Sequence, residues 1–154
     1  MEFGDGIMNS VKLEFFSNLE NISFARSVGA AFLHQLNPTI SFIQEIKTVI
    51  SEAVTNAIIH GYQGEPDKIV TMDLKYDDLY LYIEIKDQGV GIPNLEEAKM
   101  PLYTTRANDE RSGLGFTIME VFSDLFDCET EIGVGTTIRL QKRLPIDAEE
   151  CEVA

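Results

Sequence analysis

Three stretches of this chain combine residue types and spacings that could do chemistry. The first holds Glu52 and Asn56, four apart within a run whose apolar residues recur at helical spacing. Their side chains therefore lie about 40° apart on one side of a helix, at the edge of the apolar stripe. A carboxylate there is partly desolvated, which favours its protonated form and suits a general base. An amide oxygen beside it is a suitable Mg²⁺ ligand. The same pair could equally make ordinary hydrogen bonds at a core rim. The second stretch is Asp87-Gln88-Gly89-Val90-Gly91-Ile92-Pro93. Asp87 ends an apolar alternation, so its carboxylate emerges at a sheet end beside a glycine turn, where a flat ligand can approach the backbone closely. A carboxylate so placed can accept from an exocyclic amine such as adenine carries, or it can cap a turn. The third is Arg111-Ser112-Gly113-Leu114-Gly115-Phe116. Glycines ahead of a helix leave free N–H groups at its positive end, an anion site. Lys99, Arg106 and Arg111 stand there against Asp109 and Glu110, a locally basic stretch that could also be a solvated loop. Gly133-Val134-Gly135-Thr136-Thr137, on its own, is a hairpin turn.

The elements that must position these residues follow from periodicity. Val11, Leu13 and Phe15 alternate with Lys12 and Glu14, which predicts a half-buried strand. Asn18 or Asn21 can cap a helix running to about Leu36, stopped by Asn37-Pro38. Thr39 or Ser41 then caps a longer helix to His60, with Gly61 as its C′ residue. Val70 to Tyr76 and Leu79 to Lys86 alternate around Asp77-Asp78 and form a hairpin. Asp87 to Gly115 is too long for a passive connection and predicts a functional loop or lid. Phe116 to Phe126 has helical spacing, and Thr130 to Ile132 with Thr136 to Leu140 form a final hairpin. Helices gathered among hairpins predict an α+β fold: a two-layer sandwich, its sheet mixed but mostly antiparallel, with helices on one face. Residues 1–7 have the character of a leader or tag-like extension, 8–144 of one domain, and 145–154 of an acidic tail.

The 154 residues include 26 acids against 12 Lys plus Arg, for a net charge of −14. Such a field repels phosphate backbones and anionic bilayers, so nucleic acid and membrane are excluded as partners, and any bound polyanion needs a local site. With 44% hydrophobic and 25% charged residues, disorder and coiled coil are excluded as well. Cys128 and Cys151 are too few for a disulfide framework, which fits reduced thiols in a cytoplasm. There is no G-x-x-x-x-G-K-[ST], and the spacing around Gly89 and Gly91 fails the dinucleotide-binding fingerprint. His34 and His60 are lone histidines on predicted helices.

Each motif is short, but their order is specific. Glu52-x-x-x-Asn56, then Asp87-x-Gly89-x-Gly91, then Gly113-x-Gly115, then Gly133-x-Gly135-Thr136 resembles the GHKL-type (Bergerat) ATP-binding fold of gyrase and histidine kinases. Within that superfamily Ser51 to Tyr62, Pro101 to Arg106 and Glu110 to Glu120 resemble the anti-sigma-factor serine kinases of endospore-forming bacteria. The likeness is to those acting on the sporulation sigma factor, sigma F, with the general-stress anti-sigma-B kinases next. The resemblance implies that Glu52 is the general base activating an acceptor serine and that Asn56 holds Mg²⁺ on the phosphates of ATP. Asp87 would bind the adenine amine, with Gly89 and Gly91 shaping the pocket. Thr104, Thr105 and Arg111 would belong to an ATP lid, Ser112, Gly113 and Gly115 to its anchor, and Thr137 would lie near the adenine. It also implies a homodimer that binds a sigma factor when ATP is bound, with Arg26 at that interface, and that phosphorylates a small anti-anti-sigma protein.

Overall fold

The computed structural model describes residues 6–100 and 114–145. Five strands form one sheet: β1 (Asn9–Phe16), β2 (Ile69–Tyr76), β3 (Tyr80–Asp87), β4 (Leu125–Glu131) and β5 (Gly135–Arg143). Their order across the sheet is β1-β2-β3-β5-β4, and every pairing is antiparallel. The sheet is thus wholly antiparallel among the described residues, where a mixed one was expected. Alternation along each strand sends Val70, Met72, Leu74, Leu81, Ile83, Ile85, Ile138 and Leu140 to one face, all at most 2% exposed. The helices α1 (Asn21–His34) and α2 (Ile40–Thr55) pack on that face. Gly29 lets them close together, since a Cβ there would stand 2.4 Å from Ile50 Cδ1.

Helix α2 begins where the sequence predicts, with Thr39 Oγ1 accepting from the Phe42 amide at 3.1 Å. It buries Phe42, Ile46, Val49, Ile50, Ala53 and Val54. Its continuation Asn56–Gly61 is a π-helix rather than more α-helix. The left-handed residues that end it are Gln63 and Gly64, not Gly61. Helix α1 starts without a side-chain cap. Asn18 Oδ1 accepts from the Glu20 amide, and Asn21 donates to the Phe16 carbonyl. Both asparagines therefore shape the entering turn instead of capping the helix.

The third predicted helix is shorter than its apolar spacing suggests. A one-turn helix α3 (Leu95–Ala98) precedes it, and α4 spans Gly115–Val121. Phe122 has left helical geometry (φ −89°, ψ 4°), and the Asp124 amide already donates to Gln141. Phe126 belongs to β4, opposite Leu140. Its ring meets Phe116 edge-on at 6.0 Å, so the spacing of these two rings reflects a shared core contact between helix and strand. No helix among the described residues is long and apolar enough to cross a membrane.

Candidate functional site

The C-terminal half of α2 and the π-helix run towards the end of β3. The Asn56 amide donates to the Glu52 carbonyl, so α-helical spacing holds between these two residues and their half-buried side chains lie one turn apart. Five residues on, the π-helix brings Gly61 against the sheet end. A Cβ on Gly61 would stand 2.7 Å from the Asp87 carboxylate, and one on Gly89 would stand 2.0 Å from the Gly61 carbonyl. That carbonyl accepts from the Val90 amide at 2.9 Å. Gly61 is therefore a close-approach glycine: it admits the aspartate beside the helix end.

Asp87 closes β3 and is 3% exposed. Its Oδ1 accepts from the Gly89 amide at 2.9 Å. Burial pushes the carboxyl up to about 6, against partial opposition from the backbone hydrogen bonds of Gly89 and Thr136. Around it the glycine loops interlock. Gly135 (φ +141°) leaves room for the Asp87 carbonyl, which a Cβ there would meet at 2.2 Å. Gly91 (φ +80°) does the same for the Glu131 carbonyl, and the Gly133 amide donates to Val90. The Asp87 turn and the β4–β5 turn thus form one wall.

Strand register decides which threonine joins that wall. Thr136 is opposite Asp87 and Thr130, is 4% exposed, and its hydroxyl lies 2.9 Å from that of Thr130. Thr130 Oγ1 also accepts from the Ile92 amide at 2.8 Å. Thr137 is opposite Lys86 and Glu129, on the other face of the sheet. The register thus puts Thr136 on the Asp87 side of the sheet, where Thr137 was expected. The signal was available: Ile138 and Leu140 face the core, so Thr136 shares their parity.

At the other end of the site, Gly115 opens α4 directly against Glu52, and a Cβ there would stand 3.0 Å from Glu52 Oε2. The structure therefore brings Gly115 to Glu52, one turn before Asn56, and brings Gly61 and Gly89 to Asp87. Arg26 lies elsewhere, half-buried on α1, with its Nε enclosed and unpartnered among the described residues. Thr104, Thr105, Arg111, Ser112 and Gly113 lie outside the described residues, as does most of the basic stretch. Its first member, Lys99, sits over the Phe126 ring at 6.0 Å. Sequence reasoning took Gly61 only for a helix stop and missed Tyr62. The Tyr62 hydroxyl accepts from the Gln88 amide at 2.7 Å, and burial raises its pKa.

A helix-borne carboxylate and amide, with a buried aspartate among close-approach glycines, are residues that suit a nucleotide-binding ATPase domain. The family model of the histidine kinase-like ATPase domain matches residues 15–142. The anti-sigma F factor of Geobacillus kaustophilus is 51% identical over 136 residues, 88% of this chain and 93% of that protein. That of Geobacillus stearothermophilus is 52% identical over 134 residues, 87% and 92%. That of Halalkalibacterium halodurans is 51% identical over 136 residues, 88% and 93%. Among solved structures, the RsbU and RsbW domains of a Mycobacterium tuberculosis protein share the fold, with a TM-score of 0.64 and 17% identity over 89% of this chain, which spans 33% of that one. The chain belongs to the histidine kinase-like ATPase domain family and, within it, to the anti-sigma F factors.

Proposed function

We propose that this protein is an ATP-dependent serine kinase that is also an anti-sigma factor. It would bind and inhibit a sigma F-like factor and phosphorylate the anti-anti-sigma protein that releases that factor. The observation that carries the enzymatic part is the Glu52 carboxylate. It is half-buried, one helical turn from Asn56, and packed against Gly115 at the start of α4. A protein that only bound nucleotide would have no use for a base at that point.

The groove suits adenine nucleotide on its own chemistry. Asp87 is buried with its carboxyl held near 6, so at neutral pH it is chiefly an ionised acceptor, suited to an exocyclic amine. Gly89, Gly91 and Gly135 beside it leave no room for a Cβ. In the proposed transfer, Glu52 takes the proton from a serine hydroxyl as its oxygen attacks the γ-phosphorus. The bond from that phosphorus to the bridging oxygen breaks, and ADP leaves. Among the described residues no group of three His, Cys, Asp or Glu could hold a metal ion. Asn56, half-buried one turn from Glu52, offers an amide oxygen that with the phosphates of ATP would suit Mg²⁺, which would neutralise phosphate charge. Thr104, Thr105 and Arg111 complete the phosphate side as a lid, with Ser112, Gly113 and Gly115 as its anchor. Residues 8–144 are the domain in this reading, with 1–7 a leader or tag-like extension and 145–154 an acidic tail. The working unit is a cytoplasmic homodimer that meets its sigma partner through a surface including Arg26.

Replacing Glu52 by Gln tests the kinase. Phosphoserine formation on the anti-anti-sigma partner is expected to fall at least ~100-fold, as for loss of a general base, with ATP affinity kept. Unchanged transfer removes Glu52 from the role and leaves the alternative, a nucleotide-gated sigma-binding module. A chain that captures the general-stress sigma factor in preference to sigma F assigns it to the anti-sigma-B kinases.

A further inference from the structure

Tyr62 has a place in the fold that none of the functions above uses. It follows the π-helix directly, and its own amide donates to Ala57 at 2.9 Å. Its ring is buried, 7% exposed. The hydroxyl donates to the Ile69 carbonyl at the start of β2 and accepts from the Gln88 amide at 2.7 Å. Gln88 lies between Asp87 and Gly89, and the next amide, that of Gly89, donates to Asp87 Oδ1 at 2.9 Å. Two successive amides of the turn are therefore held, one by the aspartate itself and one by the phenol. The ring is rigid and anchored at both ends, so the phenol sets the turn relative to the helix end and the sheet, not merely its internal shape.

We propose that Tyr62 is a positioning residue for base selection: its hydroxyl holds the turn after β3 so that the Asp87 carboxylate distinguishes adenine from a purine without the exocyclic amine. The inference rests on the reading above that Asp87 accepts from that amine. A turn that relaxes by a few tenths of an ångström weakens a directed hydrogen bond to the base but leaves the phosphate side of the groove in place. The consequence is lost selectivity, not loss of all binding.

The test compares ATP with inosine triphosphate, which carries a carbonyl where adenine has the amine, so that acceptor would face acceptor. Equilibrium binding of both is measured on the full chain and on Tyr62→Phe, which keeps the ring. The wild-type protein is expected to prefer ATP. In Tyr62→Phe the ATP-to-ITP affinity ratio falls on the order of tenfold, the effect of weakening one directed hydrogen bond to a carboxylate acceptor, mostly through weaker ATP binding. A ratio unchanged from wild type, with both affinities falling together, makes the hydroxyl merely structural and overturns the inference. A wild-type protein with no ATP preference overturns the Asp87 reading instead. Should Tyr62→Phe fail to fold, hydrogen exchange at the Gln88 amide of the wild-type chain decides. ADP is expected to slow it more than inosine diphosphate does, and equal protection overturns the inference.

Discussion

Replacing Asp87 by Asn isolates what the buried carboxylate does to stability. The folded carboxyl sits at about 6 against an ordinary value of 3.8. At roughly 1.4 kcal/mol per pH unit, ionising it costs about 3 kcal/mol more in the folded chain than in the unfolded one. The sign follows from the raised value: the folded state keeps this proton to higher pH. The destabilisation is absent below about pH 3.8, grows between the two values and is complete above about 6. By the same relation roughly half of it is already present at pH 5. Asparagine carries no charge at any of these pH values and can still accept from the Gly89 amide. Its NH₂ group meets the Thr136 backbone donor at a cost that does not vary with pH. Urea unfolding of both proteins from pH 5 to 7.5 keeps clear of the sequence pI near 4.4. The unfolding free energy of the variant minus that of wild type is expected to rise by about 1.4 kcal/mol across that window. Groups whose surroundings the substitution leaves alone cancel in the difference. A difference flat to within about 0.5 kcal/mol, or sloping the other way, would show that Asp87 is not a desolvated carboxylate and would refute the argument.

Three further substitutions test the geometry of the site. Thr136→Val removes a hydroxyl in a chain running through Thr130 to the Ile92 amide; it is expected to cost about 1–3 kcal/mol of stability and to weaken ATP binding. Thr137→Val, on the opposite face, should change stability by less than about 0.5 kcal/mol and leave ATP affinity alone; equal losses in the two variants would contradict the strand register. Gly115→Ala places a methyl 3.0 Å from Glu52 Oε2 at a position outside the left-handed region, so the carboxylate must give way while the backbone does not. Serine transfer is expected to drop about 3–10-fold, from a displacement of a few tenths of an ångström, with the ATP dissociation constant within about twofold of wild type; unchanged transfer would separate Glu52 from the reacting atoms.

Much of this was legible one residue at a time. Helical spacing set Asn56 one turn after Glu52, at the end of α2, because one turn of helix carries its own geometry. Alternation in β3 brought Asp87 to the end of the strand, since side-chain parity is local to a strand. The same parity, followed along β5 from Leu140 and Ile138, leads to Thr136; proximity to the glycines led instead to its neighbour. Phe116, Met119, Phe122 and Phe126 kept helical spacing across a helix end. An apolar residue at that spacing packs equally well from a following strand, so periodicity could not mark where α4 stops.

By itself, then, the sequence determined the elements, the order of the motifs and the likeness to a family of nucleotide-binding kinases, because each depends on neighbours within a few residues. Only the tertiary structure decided how the motifs meet. The π-helix carries Gly61 to Asp87, Gly115 opens α4 against Glu52, and Gly91 and Gly135 let two loops interlock. The Tyr62 phenol is tied to a turn 26 residues away. Such contacts depend on the relative placement of helix and sheet, which is set by burial of the whole core. No local spacing encodes that distance, and a glycine kept for close approach is spelled in the sequence like one kept for a turn.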